Sequence, residues 1–238
     1  MISDHLKDAE HPLIVILGPT ASGKTGFSIE VAKWLQNADI INADSRQLYR
    51  GMDIGTAKIT LEQMQGIPHH LLDVLDPREQ STAGGYKKAA EAIIDEIIEQ
   101  EKVPVLVGGS MLYIAAITDG LSFDPSKRDE LRSPESKCKY DLLIIGLGKK
   151  RDEVVEKINN RTSLLFDAGW VDEVKTLLTQ GYTTSDPGFV ACGYREIAQY
   201  LQDGGDLAVL QEDIAAKTRQ YARRQMTWWR GDTRINWL

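Results

Sequence analysis

Cysteine is nearly absent: Cys138 and Cys192 are the only two in 238 residues. Two thiols are too few for a disulfide framework and make no metal-ligand spacing with each other, so a reducing cytoplasm is the expected location and both read as small buried thiols. Long hydrophobic runs are missing too. No apolar segment reaches the roughly 18 residues that a membrane span requires. The opening "MISDHLKDAEHP" lacks the basic, apolar, small-residue order of a signal peptide, so Met1 to His11 reads as a polar leader. Histidine is scarce, and the pair His69-His70 has no further His or Cys at ligand spacing, which favours a structural role over zinc. Positive charge is in deficit: the net charge of −7 excludes a surface coated with cations for indiscriminate polyanion binding.

What is present is the composition of an ordinary globular protein, 42% apolar and 26% charged, over a length that suits one domain spanning 1–238. Short aliphatic runs at Leu13–Leu17, Asp39–Ala43, Pro104–Val107 and Leu142–Leu147 read as strands. Segments of helical period separate them. This alternation predicts an α/β fold: a parallel sheet flanked by helices. Downstream, "RDEVVEKINNRTSLLFDAGWVDEVKTLLTQGY" and "DLAVLQEDIAAKTRQYARRQ" make the second half mainly helical. The polar stretch 124–140, broken by Pro125 and Pro134, reads as a surface connection.

Within the stretch Leu13 to Leu35, Gly18-Pro-Thr-Ala-Ser-Gly-Lys-Thr25 fits the phosphate-loop pattern G-x-x-x-x-G-K-[ST], between a strand and a helix as that loop requires. Gly18 and Gly23 let backbone N–H groups turn inward, the following helix points its positive end at the anion, and Lys24 adds a full charge. Thr25 is placed to put its hydroxyl on Mg²⁺. The loop alone leaves open an ATP-hydrolysing machine, a kinase, or an enzyme whose substrate carries a pyrophosphate. Asp44, just after the second strand, and Ser110, after Gly108-Gly109, are expected at the same mouth, because ligands sit at the carboxyl ends of strands in such sheets. There Asp44 has the position of a metal ligand or of a proton acceptor. After the third strand, no hydrophobic run ends in the aspartate that holds Mg²⁺ and water in phosphate-loop ATPases, which argues against ATP hydrolysis.

Between Lys217 and Arg234 the charge balance reverses, with six basic residues against Asp232. A polyanion would dock at such an island. At about 100° per residue, Arg219, Arg223 and Arg230 are expected on one side of a helix, with Tyr221, Ala222, Trp228 and Trp229 on the opposite half.

In this order, "GPTASGKT", "DSRQLY", "GMDIGTAK", "PHHLLD", "VGGSMLYI", "GYREI" and "TRQYARRQMTWWRG" resemble the tRNA dimethylallyltransferases, and the likeness covers nearly the whole chain. The resemblance implies a fold like that of phosphate-loop kinases. It also implies transfer of a prenyl group from dimethylallyl pyrophosphate to N6 of the adenosine 3′ of the anticodon in tRNA. By the same resemblance Gly18, Thr20, Ala21, Ser22, Gly23, Lys24 and Thr25 would hold the pyrophosphate with Mg²⁺ on Thr25. Arg195 would add charge at the leaving group, and Asp44 would accept the amine proton. Ser110 stands where the family usually has threonine. The extruded adenosine and its flanking phosphates would meet Asp44, Ser45, Arg46, Gln47, Ser110, Arg132 and the cations Arg219, Arg223 and Arg224. The chain departs from the pattern in one place: the helical insertion that normally follows "GGTxLY" is mostly missing at 124–140. Two other readings accompany the main one: adenylate dimethylallyl transfer to free adenosine nucleotides, and a non-catalytic tRNA-binding relic. No membrane partner is expected, and the chain is expected to act as a monomer.

Overall fold

The computed structural model describes residues 1–123 and 138–238. Six strands, β1 (Pro12–Leu17), β2 (Ala38–Ala43), β3 (His69–His70), β4 (Val103–Gly108), β5 (Asp141–Gly146) and β6 (Ile235–Trp237), form one parallel sheet in the order β3-β2-β4-β1-β5-β6. The four strands expected from aliphatic runs are all present within a residue or two. β3 and β6 carry two and three residues, too few for a periodic signal, and both sit at the sheet edges.

The central strands are covered on both faces, which is why they are continuous aliphatic runs rather than alternating ones. Leu13, Val15 and Leu17 of β1 pack with helices α4 (Ala83–Glu99) and α5 (Met111–Thr118) through Ala90, Ile94 and Ile117. Ile14 and Ile16 face the other way, onto Ile29 and Ala32 of α2 (Lys24–Leu35). Each such side chain, fully buried, contributes roughly 1.5–3 kcal/mol, so the sheet centre is the anchor of this half. Near the N-terminus, Ile2–Asp8 is helix α1, and Ile2 and Leu6, four apart, pack on the α2 face of the sheet.

The remaining helices are the short α3 (Leu61–Met64), α6 (Arg151–Asp167), α7 (Trp170–Thr179), α8 (Tyr194–Asp203) and the long α9 (Leu207–Trp229). The segment read as helical from Arg151 onward is split at Ala168-Gly169, because Gly169 adopts φ 97°, a left-handed conformation that ends α6 and starts α7. A third apolar cluster joins these helices: Trp170, Val174, Phe189, Tyr194 and Ile214 enclose Tyr49 and Met52 from the segment after β2. Both halves therefore meet around the carboxyl ends of β2, β4 and β1. Among the described residues, no helix is long and apolar enough to cross a membrane.

Candidate functional site

Because β2, β4 and β1 are neighbours, the segments that follow them lie side by side at one edge of the sheet. The loop after β1 is the phosphate loop, the one after β2 carries Asp44, and the one after β4 carries Gly108-Gly109-Ser110. A cavity of about 520 Å³ opens there, lined from the sheet side by Thr20, Ala21, Lys24, Thr25, Asp44 and Gly108. Helices close the opposite wall, with Arg161 of α6, Trp170 of α7 and Tyr221 and Arg224 of α9.

The phosphate loop has the backbone its glycines permit. Gly23 takes φ 97° as the N-cap of α2, with no side-chain cap on the helix end. Its free N–H groups are thereby left for an anion. Lys24 Nζ donates to the carbonyls of Gly18 at 3.0 Å and Pro19 at 2.9 Å, spanning the loop. Burial pushes its pKa down to about 8, opposed by the charge of Asp44 and reinforced by that of Arg161. Ser22 is buried and its Oγ has no partner among the described residues.

Asp44 is held by short-range bonds. Asn42, buried at the end of β2, accepts from Asp44 N and donates to the carbonyls of Asp44 and Leu71. Asp44 Oδ1 accepts from Arg46 N at 2.9 Å, while Oδ2 has no hydrogen-bond partner among the described residues and the side chain faces the cavity. Ser110 serves this loop rather than the cavity itself: its buried hydroxyl accepts from Ser45 N at 2.8 Å and donates to Ser45 Oγ at 3.1 Å. Gln47 lines the cavity and its Nε2 donates to the carbonyls of Thr56 and Ala57, which fixes the next segment.

That segment is secured from α7. Glu173 accepts the backbone N–H groups of Asp53, Ile54 and Gly55 at 2.7, 2.6 and 3.1 Å, and the hydroxyl of Tyr194 at 2.6 Å. Four donors on one carboxylate make a charge-assisted clamp between the two halves.

Several expected site residues stand elsewhere. Arg195 is exposed and does not line the cavity: it sits at the start of α8 with its Nε donating to the carbonyl of Thr184 at 2.9 Å, and Cys192 and Glu196 line the wall instead. Arg219 is tied to Asn159 and Glu212, each at 2.6 Å, and Arg223 is exposed away from the cavity. Only Arg224 of the three proposed α9 cations faces the opening, its guanidinium 5.7 Å from the Tyr221 ring centroid. Trp228, expected on the same half as Trp229, is 48% exposed, because α9 buries the narrower stripe Ala222, Gln225 and Trp229. Cys192 likewise is exposed at the cavity wall rather than buried. Arg132 lies outside the described residues, as does most of 124–140. His70 Nε2 pairs with Asp39 Oδ2 at 3.1 Å, and His69 Nδ1 lies 2.8 Å from the carbonyl of Ile67.

Two residues escaped the sequence reading. Arg161 presents a cation to Lys24 and Asp44 from α6; its spacing from Ile158 and Leu165 on one helical face was the available signal. Burial lowers its pKa while Asp44 opposes the shift. Gln225 sits at helical spacing between Ala222 and Trp229, and a lone polar residue on an apolar stripe was the cue.

Chemically, the cavity brings an anion-binding loop, two partly buried cations and a carboxylate oxygen that faces the cavity to one space. A family model described as IPP transferase matches residues 47–136 and 127–232. The two matches overlap at 127–136, within the connection 124–140. A tRNA dimethylallyltransferase of Macrococcus caseolyticus is 35% identical over 95% of this chain and 90% of its own length. One from Bacillus subtilis is 31% identical over 98% of this chain and 92% of its own. The first of these alignments runs over 283 residues against a chain of 238, so at least 45 positions have no counterpart here. The crystal structure of a full-length tRNA isopentenylpyrophosphate transferase from Bacillus halodurans superposes with a TM-score of 0.86 at 33% identity, covering 96% of this chain and 90% of that one.

Proposed function

The chain belongs to the IPP transferase family of prenyl-transferring enzymes, and from that premise we propose that it moves a dimethylallyl group from dimethylallyl pyrophosphate to N6 of the adenosine 3′ of the anticodon in tRNA. The observation that carries this reading is the shared cavity. Lys24 and the phosphate loop on one side and the Asp44 carboxylate on the other open on the same space. A donor pyrophosphate and an acceptor amine need that arrangement.

In the proposed reaction the N6 lone pair forms a bond to C1 of the dimethylallyl group. The C1–O bond breaks, and its electron pair leaves with pyrophosphate. The proton that N6 must lose passes to the Asp44 carboxylate, a step for which a positioned base supplies typically 10²–10⁴ in rate. Negative charge grows on the departing oxygen, where the Lys24 ammonium, the Arg161 guanidinium and the loop N–H groups are fixed in advance. Arg161 thus takes the part that the resemblance assigns to Arg195. Ser110 is a positioning residue, acting through Ser45 on the Asp44 turn.

Among the described residues no group of three or more His, Cys, Asp or Glu gathers as a metal site. Magnesium bound mainly by phosphate and water needs only one or two protein oxygens. Thr25, which lines the cavity, fits that requirement. Bound there, Mg²⁺ would neutralise part of the pyrophosphate charge.

For the tRNA, the cations in reach of the cavity mouth are Arg46 and Arg224, with Lys217 paired to Glu196 and Asp213. The direct test offers radiolabelled dimethylallyl pyrophosphate in parallel to tRNA with adenosine next to the anticodon and to free AMP. Label in tRNA alone supports the proposal. Label in AMP alone replaces it with nucleotide prenylation, and label in neither contradicts transfer altogether.

A further inference from the structure

Gln225 is 1% exposed, yet both halves of its side-chain amide are used. Oε1 accepts from the backbone N–H of Thr20 at 2.9 Å, and Nε2 donates to the carbonyl of Gly109 at 2.7 Å. One side chain thus bridges the phosphate loop after β1 to the loop after β4, and ties both to α9. Gly109 is bare where the amide enters: a Cβ there would stand 2.5 Å from Nε2. A carboxamide accepts from one loop and donates to the other at once, which an apolar side chain of the same length cannot do, and a backbone group that loses a partner is costly.

The same helix presents Lys217, Tyr221 and Arg224 to the cavity, at positions i, i+4 and i+7. Its partners in the sheet half are the donor-binding loop and the loop whose Ser110 holds Ser45 beside Asp44. From this arrangement we infer that Gln225 is a positioning residue for the donor: it fixes Thr20 and the loop mouth relative to Gly109, so that donor affinity depends on where α9 sits. The inference rests on the assignment of the phosphate loop to the pyrophosphate of the donor.

The test compares wild type with Gln225→Met, which keeps the length and removes both bonds, and with Gly109→Ala, which crowds the amide from the other side. Pyrophosphate binding by calorimetry is read independently of transfer, together with steady-state KM for donor and for tRNA. Loss of two bonds to backbone groups, one buried and one half-buried, should weaken pyrophosphate and raise the donor KM by about tenfold or more, with the tRNA KM changed by less than about twofold. Gly109→Ala should weaken donor binding in the wild-type background and not in Gln225→Ala, where the space is vacant. Pyrophosphate affinity within about twofold of wild type in both Gln225→Met and Gly109→Ala overturns the inference. So does an equal rise in both KM values, which marks general loosening. Should Gln225→Met fail to fold, Gly109→Ala decides alone. A wild type that binds pyrophosphate but labels no tRNA refutes the functional reading and leaves this inference to its own measurement. A wild type that binds no pyrophosphate removes both.

Discussion

The indole nitrogen of Trp170 lies where a side chain on Gly55 would begin: a Cβ there would stand 1.9 Å from Nε1. Gly193 meets the far edge of the same ring, its Cβ position 2.1 Å from Cη2, and with φ +98° it also needs a left-handed backbone. The two glycines of "GMDIG" and "CGYRE", distant in sequence, are therefore bare for one tryptophan. Gly55→Ala is expected to lower stability by about 1–3 kcal/mol, the usual range for an overfilled core. In the Trp170→Leu background, which carries its own cost for the lost ring, the same Gly55→Ala step should cost much less. Thermal melts of the two single variants and the double variant check this, and strict additivity would contradict the contact.

Lys24 titrates near pH 8 in the free protein because it is buried, with Asp44 opposing and Arg161 assisting the shift. Its depressed pKa means that this lysine is charged below that pH and neutral above it in the free site. Binding the donor requires the ammonium, so affinity for a non-reactive donor analogue should be flat with respect to this group well below pH 8. Above it the affinity should fall, by up to about tenfold per unit. Calorimetry in buffers of different ionisation enthalpy should detect net proton uptake on binding above pH 8. Affinity that stays level as pH rises through this range shows that the lysine is charged throughout.

Asp44→Asn keeps the acceptor for Arg46 N and removes the base. Turnover should drop by roughly 10²–10⁴ with the donor KM little changed. A collapse of donor affinity with the chemical step preserved in single-turnover measurements would make Asp44 a metal ligand instead.

The basic island is divided by the helix it forms. Arg224 shares a face with Lys217 and Tyr221 toward the cavity, whereas Arg223 points away. Reversal of Arg224 to glutamate should weaken tRNA binding and flatten its salt dependence by about 0.7–0.9 for each phosphate no longer neutralised. Arg223→Glu should change binding far less. Equal effects from the two variants, in filter binding across a salt series, would place the tRNA on both faces of α9.

How far the sequence revealed this site depends on how local each feature is. The phosphate loop is eight contiguous residues whose types follow from anion binding, and Asp44 and Ser110 follow from their places after strands. The roles of Arg161 and Gln225 arise from packing of α6 and α9 over the sheet, and no short window encodes that. The same is true of Arg219, whose partner Asn159 lies 60 residues away. Arg195 stands off the cavity wall for a related reason: its motif fixes the backbone at the start of α8, while its side chain is taken by the Thr184 carbonyl. Strand β6 was hidden by its three-residue length and by the adjoining basic run.

The destination of the prenyl group is the most direct test of the proposed transfer. Purified protein, dimethylallyl pyrophosphate and unmodified tRNA are incubated together, and the tRNA is then digested and its fragments are located by mass spectrometry. Wild type is expected to place one dimethylallyl group on the adenosine 3′ of the anticodon, with Lys24→Ala and Asp44→Asn both leaving that position unmodified or nearly so. A dimethylallyl group at that adenosine in equal yield from Lys24→Ala, or none there from wild type, would contradict it.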